Sequence, residues 1–308
     1  MLTIRAFSVT CAVLCLGFAG CPEWWWQGGP YPPLPEAGSS GPTPVDAGAA
    51  EPAEPVSEPV LPNVDGSCPT ITTGTVTLRG VELKLWLGDA PAGAQIPILV
   101  YWHGTGSTAS EAEFTQPEQF ADFLAEGGLV VSLEGTTGEG TNTSTGTWST
   151  GDFAIVDQVI ACAAEQLPVD ARRIYTTGCS SGAVHAGVMA YQRSRYIAAA
   201  ALNSGGQVQP FDLQEPGHVP SVILAHGPSG TDVVIIDFAQ ASTLYAQDLA
   251  RAGGVAVECG HALGHCAAPA ELKRAMFQFL ADHTFAVEPK PYAGGLPDSF
   301  PDYCKIIE

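Results

Sequence analysis

The chain has 308 residues, 45% of them hydrophobic and only 14% charged, and its formal net charge is −20 at pH 7. An acid excess of this size, with no cluster of Lys and Arg, excludes a nucleic-acid binder, because phosphate backbones are held by basic side chains. The acidity indicates solubility rather than a particular partner.

Residues 1–20 read as a processing signal. Arg5 precedes the apolar stretch Ala6–Phe18, which is too short to remain in a bilayer as a spanning helix. The stretch ends in Phe18-Ala19-Gly20-Cys21 and resembles a bacterial lipoprotein cleavage box, with Phe18 where a leucine is usual. The resemblance implies that Cys21 becomes a lipidated amino terminus. The protein is then exported and held at the outer membrane or cell surface through lipid alone. Residues 21–66 are rich in Pro, Ala, Gly and Glu and have no apolar face, the composition of a solvated, disordered tether. Trp24-Trp25-Trp26 opens that tether and reads either as aromatic rings suited to a membrane interface or as an accident of composition.

Residues 67–308 form one domain, long enough for a substantial core. Thr72–Leu78 and Val81–Leu87 alternate around Arg79-Gly80 and predict a hairpin. Short, β-rich apolar runs follow at Ile96–Trp102, Leu129–Leu133, Arg173–Thr177, Ala198–Leu202, Ser221–Ala225 and Val255–Cys259, as buried parallel strands require. Helical stretches lie at Glu111–Glu126, Phe153–Gln166, Ala183–Arg193, Phe238–Ala252 and Glu271–His283. The alternation predicts an α/β fold, a doubly wound and mostly parallel sheet with helices on both faces and no large lid domain. Function then belongs to the loops at the carboxyl ends of the strands. Thr136–Gly151, rich in Gly, Thr and Ser and containing Trp148, is long for a loop and suits either a cleft wall or a solvated surface.

Gly178-Cys179-Ser180-Ser181-Gly182 follows the run Arg173–Thr177 and precedes a helical stretch. A G-x-S-x-G in that setting lifts one serine hydroxyl out of a strained turn, and the glycines let strand and helix approach closely. Such a hydroxyl needs an imidazole base, and the base needs a carboxylate to fix its tautomer. With the chain order Ser, acid, His, the candidate acids are Asp232 and Asp237. Asp232 is preferred, because Asp237 precedes Phe238-Ala239-Gln240 and fits a helix N-cap. The candidate bases are His261 and His265, while His283 ends the last helix and suits its dipole. Oxyanion donors are expected from the Ser181 N–H and from Thr105 or Gly106 in His103-Gly104-Thr105-Gly106. The reaction so assembled needs no cofactor. Cys68, Cys162, Cys179, Cys259, Cys266 and Cys304 are an even set in an exported domain and favour three disulfides.

These segments together, from the strand before His103-Gly104 through Gly178–Gly182 and His226-Gly227…Asp232 to Gly264-His265…Pro269, resemble the α/β-hydrolase superfamily. The nearest likeness is to secreted poly(3-hydroxybutyrate) depolymerases and feruloyl or acetylxylan esterases. Two departures are Ala183 in place of a glycine and a somewhat longer acid loop. The resemblance implies Ser180 as nucleophile, Asp232 as acid and His265 as base, with an ester as substrate, either linked to plant polysaccharide or a short polyhydroxyalkanoate. A second likeness, to the tannase and fungal feruloyl esterase family, rests on Cys179 before Ser180 and Cys266 after His265. It implies that these two cysteines are bonded and favours His265 over His261. The remaining cysteines are then expected to pair as Cys68–Cys304 and Cys162–Cys259. The competing readings are a zinc site at Cys259, His261, His265 and Cys266, a binding protein that has kept the fold without chemistry, and a serine peptidase.

Overall fold

The computed structural model describes residues 55–144, 146–207 and 212–308. The signal segment, Cys21, the tryptophan cluster and the tether up to residue 54 lie outside the described residues. Among the described residues eleven strands and six α-helices follow in chain order. The first part of the domain contains β1 (Gly74–Leu78), β2 (Val81–Leu87), β3 (Ile96–Trp102), α1 (Glu111–Thr115), α2 (Pro117–Ala125) and β4 (Leu129–Leu133). Next come β5 (Asn142–Ser144), β6 (Trp148–Ser149), α3 (Phe153–Gln166), β7 (Val169–Cys179), α4 (Ser181–Gln192) and β8 (Ala199–Asn203). The last part holds β9 (Ser221–His226), α5 (Phe238–Arg251), β10 (Ala256–Gly260), α6 (Ala270–Asp282) and β11 (Cys304–Ile307).

Nine strands form one sheet in the order β1-β2-β4-β3-β7-β8-β9-β10-β11. The six from β4 to β10 run parallel, and the antiparallel pairs are confined to the flanks at β1, β2 and β11. Alternation along β3 shows why the parallel strands read as unbroken apolar runs. Ile96, Ile98, Val100 and Trp102 enter one core, shared with α3, α4 and α5. Leu99 and Tyr101 enter the other, shared with α2 and α6. Both faces are covered, so both phases of the period-two repeat are apolar.

Four expectations need correction. The helix expected over Glu111–Glu126 breaks at Gln116, whose φ of −142° and ψ of 59° are non-helical, because Pro117 restricts the residue before it and then opens a new helix. Residues 55–66, assigned by composition to the solvated tether, lie against the domain. Val56 N–H donates to the Gly217 carbonyl (3.1 Å), Val60 N–H to the Arg195 carbonyl (2.8 Å) and Asp65 N–H to Gln158 Oε1 (2.6 Å), while Leu61 and Val64 pack on the core. Cys68 bonds to Cys162 rather than to Cys304, since this segment runs along α3 and brings their α-carbons to 5.4 Å. Cys259 bonds to Cys304, its register partner in the β10–β11 ladder, not to Cys162. The edge strand β11 was not foreseen, and it is the element that places Cys304.

Candidate active site

The elbow comes first, because the sheet builds it. β7 ends at Cys179, α4 starts at Ser181, and Ser180 between them has φ 57° and ψ −125°, a left-handed conformation that costs a non-glycine residue energy. The turn is held tightly: Ser180 N–H donates to the Asn203 carbonyl of β8 (3.1 Å), and Val184 N–H to the Ser180 carbonyl (3.0 Å). Glycine is required at Gly182, because any β-carbon there would collide with the Trp102 carbonyl at the end of β3.

Ser180 Oγ donates to His265 Nε2 (2.9 Å), and His265 Nδ1 donates to Asp232 Oδ1 (2.6 Å). Asp232 follows β9, its side chain is fully buried, and its second oxygen accepts from Ser204 Oγ (2.8 Å) and Gly227 N–H (2.9 Å). Burial alone would raise this carboxyl. The hydrogen bonds from His265, Gly227 and Ser204 outweigh it and hold Asp232 below the usual carboxylate range. An ionised Asp232 keeps the proton on Nδ1 and leaves Nε2 free to accept from the serine. The Phe238 ring lies 4.7 Å from the imidazole, centroid to centroid, and walls one side of it.

The next residue, Cys266, is also left-handed, with φ 57°. Its N–H donates to Ser204 Oγ (2.9 Å), its carbonyl accepts from Asn203 Nδ2 (2.9 Å), and its sulfur is bonded to Cys179, with the α-carbons 5.8 Å apart. Nucleophile and imidazole therefore share a covalent brace and a common neighbour in the end of β8. Asn203 and Ser204 were missed by sequence reasoning. The signal that could have found them was in view, since Asn203-Ser204-Gly205-Gly206 is another loop at the carboxyl end of an apolar run.

The other candidates are placed elsewhere. Asp237 caps α5, accepting from Gln240 N–H (3.2 Å), Ser229 Oγ (2.7 Å) and Gly230 N–H (2.9 Å). His261 is buried and its Nδ1 accepts from Leu263 N–H (3.2 Å); burial, reinforced by His226, lowers its pKa. His283 is buried rather than poised as a charge on the helix end, and desolvation pushes it down to about 4. Cys259 and Cys266 are spent in separate disulfides and His265 is engaged by Ser180 and Asp232, so the residues of the zinc reading do not converge as ligands.

Ser181 opens α4, where the first N–H groups have no intrahelical acceptor. The loop after β3 turns at Gly104–Ser107, closed by Ser107 N–H on the Gly104 carbonyl (3.1 Å), with Gly106 at φ 78°. A β-carbon on Gly104 would sit 3.6 Å from the Ser180 β-carbon, so Thr105 and Gly106 belong to the nucleophile's surroundings. Buried Glu111 accepts from Gly104 N–H (3.1 Å) and Tyr101 Oη (3.0 Å) and fixes this loop from below. From the other side, Trp148 Nε1 donates to the His103 carbonyl (3.0 Å), and Thr147 Oγ1 lies 2.6 Å from Thr105 Oγ1. The long loop Thr136–Gly151 is thus a hairpin, β5–β6, with Trp148 fully buried under the His103 turn instead of lining a cleft.

Geometrically the site can deliver an activated hydroxyl to an electrophile beside the first turn of α4 and the Gly104–Ser107 turn. No protein-family model matches the chain, and no curated protein sequence matches it. Solved structures do. They include pOPH in complex with pNPB (16% identity, TM-score 0.58, covering 79% of this chain and 96% of that one) and native sOPH (14%, 0.57, 80% and 97%). A thermostable esterase matches at 16% identity with a TM-score of 0.53, over 68% of this chain and 62% of its own. At these identities the likeness shows the fold alone, a mostly parallel α/β sheet with helices on both faces.

Proposed function

We propose that the protein is an exported, lipid-anchored serine esterase that works through an acyl-enzyme. The observation that carries this reading is the continuous hydrogen-bonded chain from Ser180 Oγ through His265 to Asp232, set at the carboxyl edge of the parallel strands. In this reading His265 Nε2 takes the Ser180 proton as Oγ attacks the ester carbonyl, and Asp232 stabilises the imidazolium. The Ser181 N–H and an amide of Thr105 or Gly106 receive the negative charge that develops on the carbonyl oxygen. His265 then protonates the departing alcohol, and water reverses the sequence to free the acid. The chemistry calls for no cofactor. Feruloyl or acetyl esters of plant polysaccharide, or short polyhydroxyalkanoates, are the substrate classes. The thermostable esterase among the structural neighbours supports ester chemistry on this architecture.

Export and anchoring are supported by Phe18-Ala19-Gly20-Cys21 and by three bonded cysteine pairs, which suit an oxidising compartment. The decisive experiment is Ser180→Ala, tested on a panel of feruloyl, acetyl and hydroxybutyrate esters and with a fluorophosphonate label. Turnover should fall by about 10³-fold or more and the label should vanish, with the fold unchanged. Retained turnover or label in that variant overturns the mechanism.

A further inference from the structure

We infer that His226, held as a cation by the buried carboxylate of Glu258, is a positioning residue that keeps the acid loop, and with it Asp232, in line with His265. The inference rests on the esterase reading above and adds to it a charged support behind the triad. Two observations of different kinds lead to it.

The first is the set of partners around one ring. His226 ends β9 and is buried. Its Nδ1 lies 2.8 Å from the Gly227 carbonyl oxygen and its Nε2 lies 3.3 Å from Glu258 Oε1. Both neighbours are acceptors. A neutral imidazole donates from one nitrogen and turns a lone pair towards the other oxygen, whichever tautomer it takes, so only the imidazolium satisfies both. Glu258, on β10 and 3% exposed, is suited to hold that charge. It accepts from Thr243 Oγ1 of α5 and faces Lys305 Nζ of β11 at 3.1 Å, its register partner in the ladder. Burial would raise this carboxyl, but the bonds from His226, Thr243 and Lys305 outweigh it and bring it down to about 2. Burial would lower His226, but its bonds to Glu258 and Gly227 outweigh that and raise it. The other titratable groups facing the ring are Asp232, which favours the cation, and His261, which the cation helps to keep neutral.

The second observation is where those partners lead. Gly227 is gripped from both sides: its carbonyl accepts from His226, and its N–H donates to Asp232 Oδ2 (2.9 Å). A β-carbon on it would collide with the Leu263 carbonyl, so the glycine is also pressed against the base loop. The His226 carbonyl accepts from His261 N–H (3.0 Å), at the start of the loop that carries His265. One residue therefore holds the hinge of the acid loop with its ring and the root of the base loop with its backbone. Once His226 gives up its proton, a lone pair faces either the Gly227 carbonyl or Glu258, and the hinge loosens. The clamp is complete below the raised His226 value and is lost as the pH climbs through it.

The test uses the full chain, p-nitrophenyl acetate as the ester and 15N NMR of labelled histidine. In the wild type the His226 ring should titrate above the ordinary value of about 6.5, with both nitrogens protonated below that point. Glu258→Gln keeps the shape of the side chain and removes its charge. The His226 titration should then move to lower pH. The variant's kcat should fall by about fivefold at pH 7 with KM within about twofold of wild type, and its alkaline decline should begin at lower pH. A merely structural loss lowers kcat by the same factor at every pH, and that result overturns the inference. So does a wild-type His226 ring that titrates at or below about 6.5, a reading that needs no variant to fold. Ser180→Ala keeps the two readings apart, because it should lose turnover and keep the raised His226 titration. Turnover by that variant sinks the esterase mechanism and leaves the imidazolium clamp standing, whereas an unraised ring beside an inactive Ser180→Ala does the reverse.

Discussion

The nucleophile turn and the imidazole loop are both bent through a left-handed residue, Ser180 and Cys266, each with φ 57°. They are held in different ways. The nucleophile turn is wedged between a strand and a helix, and steric necessity at Gly182 against the Trp102 carbonyl keeps it there. The imidazole loop sits beyond β10 with no helix immediately behind it. It is clamped instead through three groups of one residue: the Cys266 N–H by Ser204, its carbonyl by Asn203 and its sulfur by Cys179. Backbone packing fixes one partner and discrete bonds fix the other. Damage to the first should therefore appear as lost folding, and damage to the second as lost activity in a folded protein.

The harshest way to break the elbow is Gly182→Ala. A β-carbon driven into the Trp102 carbonyl should destabilise by about 4 kcal/mol or more, seen as failure to recover soluble protein or a collapsed melting temperature. Cys179→Ala with Cys266→Ala should give a folded protein whose other two bridges survive, with kcat down by about 10²-fold because small misplacements of the imidazole are costly. A collapse of folding would show that the brace supports the scaffold and not only the loop.

Ser204→Ala sharpens the contrast. It removes one of the donors that hold Asp232 low and the acceptor for Cys266 N–H, so kcat should fall by about tenfold with KM nearly unchanged. The Asp232 carboxyl should rise towards its ordinary value.

The smallest effect concerns stability far from the elbow. His283 and His218 are held neutral by burial, each near pKa 4, against an unfolded value of about 6.5. Between those values the unfolded chain binds more protons, so stability is full above about pH 6.5 and falls as the pH drops towards 4. Replacing His283 by Leu should flatten that slope in urea titrations at pH 4.5 to 6.5 by up to about one proton's worth, leaving activity at neutral pH intact.

The same contrast explains what could be read in advance. Ile96–Trp102, Leu129–Leu133 and Phe153–Gln166 keep their expected bounds, because each is a local run whose pattern and flanking residues suffice. Gln116-Pro117 carried the break between α1 and α2 in plain view. The wedge around Ser180 is equally local, a short glycine-bounded motif after an apolar strand. Asn203 and Ser204 are remote in sequence from the groups they hold, and only the sheet order brings them there. The same is true of the bridges at Cys68 and Cys304. Their pairing depends on a segment laid along α3 and on a four-residue edge strand, neither of which has a strong pattern of its own.

The path of residues 55–60 has a directional consequence. Val56 meets Gly217 ahead of β9, Val60 meets Arg195 ahead of β8, and Glu58 pairs with Arg172 early in β7. All three contacts lie at the end of the sheet where the parallel strands begin. Ser180 and its partners lie where those strands finish, about 17 Å away for a five-residue strand. Residues 55–60 therefore brace the pole of the sheet opposite to the reaction centre and take no part in lining its mouth.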